Sequence, residues 1–429
     1  MHLIRGLKAA KNESGQMMIM LALLLPLLFC FVGFGIDFGF AFVTKAQLAK
    51  ACDAAALATM LNLGQGNTQA TAIGQAKFYL NANGNSQLYV SAPTPSIQIV
   101  PPSGPGGEPV VNVLGTAKIH TFFIGFAGFP TLTITNYSQA TRPPIFMSLV
   151  LDKSGSMGPN YDDGAAALPG AVTDFLGYFL ENTDQVGEVS FSYIGTPDVA
   201  ISTTFKTPIE NYVNGLAANN YKGFTGGTFA QGGLTWANTQ ITGVSPLPTN
   251  AVPVVVFFTD GWANSIQQPV GANQAIFGGC SPKEFTTAAG WCNAVSCWNT
   301  DGSSIGGTVV PLTTTQVTCD GVNSFTPQDT ADLGSPASLT INNIATEADY
   351  RTVQLANSMR AAGITVYSIG LGGPGLVNTT YLEQIANDPA SPTYDASEPS
   401  GVYVPAPTNA DLDGAFQQVA AKILLRLTH

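Results

Sequence analysis

Leu149-Val150-Leu151-Asp152-Lys153-Ser154-Gly155-Ser156 is an apolar run that stops abruptly on one acid and two hydroxyls. The apolar part reads as a buried strand. The turn behind it presents three hard oxygen ligands within five residues, which is how a divalent-metal site begins. The rest of such a ligand set has to come from other strand ends.

Two other stretches can supply it. Val254-Val255-Val256-Phe257-Phe258-Thr259-Asp260-Gly261 is a second buried strand ending in an acid, and Thr225-Gly226-Gly227-Thr228 is a flexible loop that carries a hydroxyl up to a helix. Around them strand and helix patterns alternate from Ile145 onward. Strands are predicted at 145–151, 186–193, 199–204, 252–258, 364–369 and 402–404, and helices at 166–180, 209–216, 230–241, 345–361, 381–385 and 410–425. This alternation predicts an α/β domain with a doubly wound, mostly parallel sheet, which binds ligands outside the carboxyl ends of its strands. Asp152, Ser154, Ser156, Thr228 and Asp260 are thus expected to offer five oxygen donors from three loops at one sheet edge. Mg²⁺ suits such donors best, with Mn²⁺ and Ca²⁺ as alternatives.

These residues resemble the metal-ion-dependent adhesion site (MIDAS) of von Willebrand factor A domains, whose pattern is Asp-x-Ser-x-Ser, then Thr, then Asp. The resemblance assigns Asp152, Ser154 and Ser156 to the first loop, Thr228 to the second and Asp260 to the acid after the fourth strand. Thr225 competes with Thr228, and the adjacent glycine pair matches the family better at Thr228. The segments 362–370 and 413–420 also resemble that family's last core strand and closing helix. The resemblance implies that the domain captures a carboxylate from a protein partner at the metal. Asp162 and Asp163 read as a solvated loop at the rim.

The domain, 145–427, is interrupted by residues 262–344, which show little periodicity and hold Cys280, Cys292, Cys297 and Cys319. Loops of that length are functional or disordered. An even cysteine cluster in an Asn/Thr/Gly-rich stretch reads as disulfides in an oxidising compartment, with three connectivities open. No Cys-x-x-Cys pair is present, which argues against zinc.

Upstream, residues 17–36 form an uncharged apolar run that spans a hydrocarbon core of about 30 Å at about 1.5 Å per residue. It reads as a retained, single-pass transmembrane helix. Arg5, Lys8 and Lys11 precede it, so the expected arrangement is a cytoplasmic tail over 1–16 and everything beyond residue 37 outside the inner membrane. Residues 37–84 then read as an extended helical stalk that lifts the rest of the chain off the bilayer. Residues 85–140 read as a small antiparallel sheet of short segments at 88–90, 97–100, 110–114, 117–123 and 132–134. The phrase Gly35-Ile36-Asp37-Phe38-Gly39 and the run from Gln47 to Ala58 resemble the N-terminal module of TadE/TadG-like proteins of Flp (tight adherence) pilus assembly. Neither Gly6 nor Gly15 has Glu at the prepilin-peptidase offset, so the resemblance implies the uncleaved, TadG type.

Charge narrows the partners. Residues 1–145 carry eight Lys/Arg against four Asp/Glu and residues 146–429 carry eight against twenty-three, giving +4 and −15. The outer part therefore disfavours nucleic acid. The three histidines, His2, His120 and His429, stand away from every strand end, and no Gly-x-x-x-x-Gly-Lys loop is present, so no enzyme chemistry is expected. The expectation is a membrane-anchored, metal-dependent adhesion module with pilus-assembly components as partners. The alternative is a structural envelope protein whose metal only stiffens the fold.

Overall fold

The structure, a computed structural model, describes residues 14–82, 89–104, 107–158, 164–244, 247, 250–270, 273–278, 296–299, 324–373 and 375–426. Among them the chain divides into two compact units, one of 14–62, 67–100 and 110–140, the other of 63–66, 101–109 and 141–426.

In the first unit, α1 (Ser14–Leu61) is one continuous helix of 48 residues with Pro26 inside it. Its large apolar side chains from Met17 to Val43 stand exposed apart from the half-buried Phe40, whereas Leu48, Ala51, Cys52, Ala55, Ala56 and Met60 are buried. That small, alanine-rich stripe seats α2 (Asn67–Ala82), which folds back along α1 and buries Ala70, Phe78 and Ala82. The expected stalk over 37–84 is therefore corrected to a helical hairpin. Three strands come next, β1 (Tyr89–Val100), β2 (Val110–His120) and β3 (Thr131–Thr141), in the order β1-β2-β3. They replace the five short segments expected. Pro93 and Pro95 look like strand breakers, yet β1 is an edge strand whose register slips twice before Thr94, where a missing N–H is tolerated. β2 packs on α1 through Val111, Val113, Ala117 and Ile119. The sheet thus lies against α1.

In the second unit the strands β4 (Ile145–Asp152), β5 (Gln185–Phe191) and β6 (Gly195–Ser202) are interleaved with α3 (Gly164–Gly177), α4 (Lys206–Tyr221) and α5 (Ala230–Thr242), and β7 (Val252–Thr259) comes after them. Every residue of β4 is buried, as its unbroken apolar run requires. The stretch after β7 holds β8 (Ser265–Val270), β9 (Asn273–Gly278) and β10 (Ser296–Asn299), a separate antiparallel sheet, then the short pair β11 (Ser324–Phe325) and β12 (Ala337–Ser338). α6 (Ile341–Ala361), β13 (Thr365–Leu371), α7 (Thr379–Ala386), β14 (Tyr403–Ala406) and α8 (Leu412–Arg426) complete the unit.

The six-stranded sheet runs β14-β13-β7-β4-β5-β6, parallel throughout except for β6. Counted in chain order this is 3-2-1-4-5-6, the doubly wound order, whose crevice opens between its first and fourth strands. Those strands are β4 and β7. On one face Phe146, Val150, Val189, Phe191, Val255 and Phe257 pack with α5 and α6, Phe191 and Phe257 stacking at 5.4 Å. On the other, Phe175 of α3 and Phe258 meet Phe416 of α8 at 5.4 and 5.7 Å.

The interruption is narrower than 262–344. Phe325, Leu333, Ala337 and Leu339 belong to the core, and Glu347 of α6 accepts the N–H groups of Gln328 and Asp329 while pairing with Arg351. Arg351 also donates to the carbonyl of Gln267, which ties β8 to α6. Cys280, Cys292 and Cys319, with their expected disulfides, lie outside the described residues, as do Asp162 and Asp163; Cys297 falls in β10.

A buried ion pair fixes the entry to β4. Arg142 forks onto Asp184 at 2.8 and 2.6 Å, and Asp184 also accepts N–H bonds from Ile145 and Leu180. With all four donors in place, both charges are compensated out of water.

Candidate metal centre

β4 ends on Asp152, and β7, its neighbour, ends one residue short of Asp260. Both acids are buried. Asp152 Oδ1 accepts the N–H of Ser154 at 2.7 Å and Oδ2 the hydroxyl of Thr259 at 2.6 Å, with a further bond from the Asp260 backbone. Ser154 starts the 3₁₀ turn Gly155–Met157, which brings the Ser154 and Ser156 hydroxyls to 3.0 Å from each other. Ser156 Oγ donates to Asp260 Oδ1 at 2.8 Å. Four of the five expected residues, Asp152, Ser154, Ser156 and Asp260, thus stand in one connected cluster at the crevice.

Thr228 occupies the adjoining loop. Its N–H donates to Asn264 Oδ1 at 2.7 Å and its carbonyl accepts the N–H of Asn264 at 3.1 Å. The loop is laced to the first one, since Thr225 N–H donates to the Lys153 carbonyl and Gly155 N–H to the Gly226 carbonyl. Gly226 has φ +98° and faces the Tyr193 ring, where a Cβ would fall 2.6 Å from the nearest ring atom, so only glycine fits. This is the role of the first glycine in Thr225-Gly226-Gly227-Thr228. Lys153 turns away from the acids, its ammonium bonding Thr196 and Tyr212 at 3.2 Å each.

Two carboxylates taken out of water side by side are costly unless something neutralises them. Burial pushes Asp152 up to about 6, only partly offset by the bonds from Ser154 and Thr259. Each serine hydroxyl spends its single proton as donor and keeps lone pairs for another partner. The donor set is all oxygen, two acids with two hydroxyls, and its chemistry fits a hard divalent cation. Among the described residues no three His, Cys, Asp or Glu side chains gather as a metal cluster, and this crevice holds two acids only.

Thr259, Asn264 and Asp349 were not singled out by their sequence positions. Thr259 touches Asp152 directly; Asn264 holds the Thr228 backbone. Asp349 of α6 accepts the backbone N–H of Ala263, just past Asp260, and burial pushes its carboxyl to about 7. The one signal for Thr259 is that it precedes the strand-ending acid.

Residues 15–62 match the family model for Flp pilus-assembly TadE/G-like proteins. The TadE/G-like segment coincides with α1. No curated protein matches the chain. Solved structures similar to it include the vWF domain of the type V pili tip protein Mfa5 from Porphyromonas gingivalis, 14% identical, with 68% of this chain and 98% of that one covered and a TM-score of 0.41. The pilus adhesin SpaC from Lactobacillus rhamnosus GG is similar at 14% identity, 80% and 36% coverage and a TM-score of 0.41. Proximal thread matrix protein 1 from the mussel byssus is similar at 14% identity, 65% and 46% coverage and a TM-score of 0.36. The chain spans about half the length of the mussel protein and about a third of SpaC.

Proposed function

We propose that this chain is a membrane-anchored protein-interaction module of Flp-type pilus assembly or surface attachment, which holds a partner through a divalent cation. Anchoring rests on α1, the one described helix long and apolar enough to cross a membrane, and on its TadE/G-like segment. The basic residues before it orient the N-terminus to the cytoplasm and the sheet domain outward from the inner membrane. Asp152, Ser154, Ser156 and Asp260 would hold Mg²⁺, with Mn²⁺ and Ca²⁺ as alternatives and Thr228 as the further ligand. When bound, the cation supplies a coordination position that a partner's Asp or Glu carboxylate completes.

The observation that carries the reading is the hydrogen-bonded cluster of two buried acids and two serines at the crevice between β4 and β7. The chain's own residues do the positioning. Thr259 and the Ser154 N–H orient Asp152, Ser156 orients Asp260, and the backbone bonds of Thr225 and Gly155 hold the second loop beside the first.

The test uses the full chain in detergent, wild type and Asp152→Ala, titrated with Mg²⁺ by calorimetry and with pilus components in Mg²⁺ or chelator. Loss of both Mg²⁺ heat and partner binding in a variant that still unfolds cooperatively is the expected outcome. A variant that loses Mg²⁺ yet binds partners normally would leave the cation a purely structural role. No Mg²⁺ heat in the wild type would remove the cation from the function.

A further inference from the structure

We propose that the loop between β2 and β3, residues 121–130, is a second membrane contact that dips into the lipid beside α1. The proposal rests on the reading of α1 as a membrane span, and the loop's depth is set by its contacts with that helix. Asp37 directly succeeds the apolar run 17–36, so its carboxylate marks the level where the helix leaves the hydrocarbon. It accepts the N–H groups of Phe122, Phe123 and Ile124 at 2.7, 2.9 and 2.7 Å, which fixes the loop backbone at that level. Phe123 lies against Gly33, where a Cβ would come within 2.5 Å of its ring, and Gly33 is one turn deeper than Asp37, about 6 Å at the helical rise. On the outer side the Phe122 ring meets Phe40 edge-on at 5.6 Å.

The loop is built of residues that a lipid surface accepts. Phe126 is 93% exposed and Phe129 66%, with Phe122 and Phe123 also exposed. Aromatic rings at the level of the headgroups are the usual anchors of membrane proteins. Backbone groups that enter lipid must find partners inside the protein, and seven N–H groups of this loop do. Beyond the three bonds to Asp37, Thr121 N–H bonds the Pro130 carbonyl, Phe126 N–H that of Phe123, Gly128 N–H that of Gly125 and Phe129 N–H that of Ile124. The Phe129 carbonyl accepts the Thr121 hydroxyl. Asp37, an acid beside the span, is explained in the same stroke, since it saturates the N–H groups at the start of the 3₁₀ turn Ile124–Ala127.

The full chain is placed in nanodiscs of phosphatidylethanolamine and phosphatidylglycerol with photoreactive benzoylphenylalanine replacing, one at a time, Phe126, Phe129, Leu24 and Tyr137. Leu24 reports the span and Tyr137, exposed in the middle of β3, reports the surface away from the loop. Lipid adducts, counted by mass spectrometry, should form at positions 126 and 129 several-fold above the Tyr137 position and close to the Leu24 position. Adducts at Leu24 with only the Tyr137 level at 126 and 129 would overturn the lipid contact and leave the span standing. Silence at Leu24 would overturn both together. Chain-to-chain adducts at 126 and 129 in place of lipid ones would assign the phenylalanines to a second copy and end the proposal.

Discussion

Replacing Glu188 with methionine should raise the stability of the second unit. Glu188 lies in the middle of β5 on the face toward α4, is buried, and neither carboxylate oxygen has a hydrogen-bond partner. Burial drives its carboxyl well above the ordinary value, the nearby Asp198 adds to the shift, and Lys153 opposes it. Each orphaned acceptor costs about 1–3 kcal/mol, so removing both at nearly constant volume should gain on the order of 2 kcal/mol at pH 7. At roughly 2 °C per kcal/mol for a domain of this size, the midpoint should rise by about 4 °C. Lys153 is not stranded by the change, because Asp198 stays within 3.9 Å of its ammonium. The sign with pH is definite. Above the unfolded value of about 4.5 the unfolded state releases this proton and the folded state keeps it, so the wild type loses stability as pH rises through that window. The gain should grow from pH 4.5 toward neutrality. Asp152 and Asp349, raised to about 6 and about 7 by burial, leave a residual slope of the same sign. Thermal unfolding of the full chain in detergent across pH 4.5 to 7.5 measures both quantities. A lower midpoint at pH 7 with an undiminished slope would refute the argument and make Glu188 a net favourable partner of Lys153.

Three further outcomes are expected from the same structure. Arg142→Met leaves Asp184 charged and buried with only the Ile145 and Leu180 N–H groups, and should cost about 3–5 kcal/mol in denaturant titration. Mg²⁺ affinity should fall about tenfold between pH 7 and pH 5, because protons compete for Asp152, whose carboxyl titrates near 6; calorimetry at the two pH values checks it, and a flat response counts against Asp152 as a ligand. Gly226→Ala sets a Cβ into the Tyr193 ring at positive φ and should weaken Mg²⁺ binding while the circular dichroism of the sheet is retained; an unchanged affinity would detach this loop from the site.

The sheet was legible because buried parallel strands leave unbroken apolar runs, as in Leu149-Val150-Leu151 and Val254 to Phe258, and because acids that end such runs have few structural uses. The first unit was less legible. The alanines and leucines of residues 45–61 predict a helix but not its partner, and only the folded hairpin shows that Ala51 and Ala55 are a docking stripe for α2. Pro93 and Pro95 hid β1 because propensity carries no information on which strand is an edge. Thr259 was invisible for another reason. Its part in the cluster depends on lying opposite Asp152 across the sheet, and register between strands a hundred residues apart is a tertiary property.

That register also explains how two acids come to share a crevice. Leu151 pairs with Phe258, so the residue across from Asp152 is Thr259, and Asp260 comes one step later, after β7 has ended. Had an acid stood at 259, two carboxylates would face each other across one strand spacing and one would be forced neutral. The stagger puts a hydroxyl donor there instead, bonded to Asp152, and leaves Asp260 to be reached by Ser156 from the far side of the turn. Both carboxylates are thereby held by hydroxyls that keep their lone pairs, an arrangement that orients acids without neutralising them. The strand order does the rest. β4 passes its chain to α3 on one face, and α6, which comes after β7, packs with α5 on the other, so the chain leaves the two neighbouring strand ends toward opposite faces of the sheet. Both acids therefore lie where sheets of this order take their ligands, at the carboxyl ends of β4 and β7.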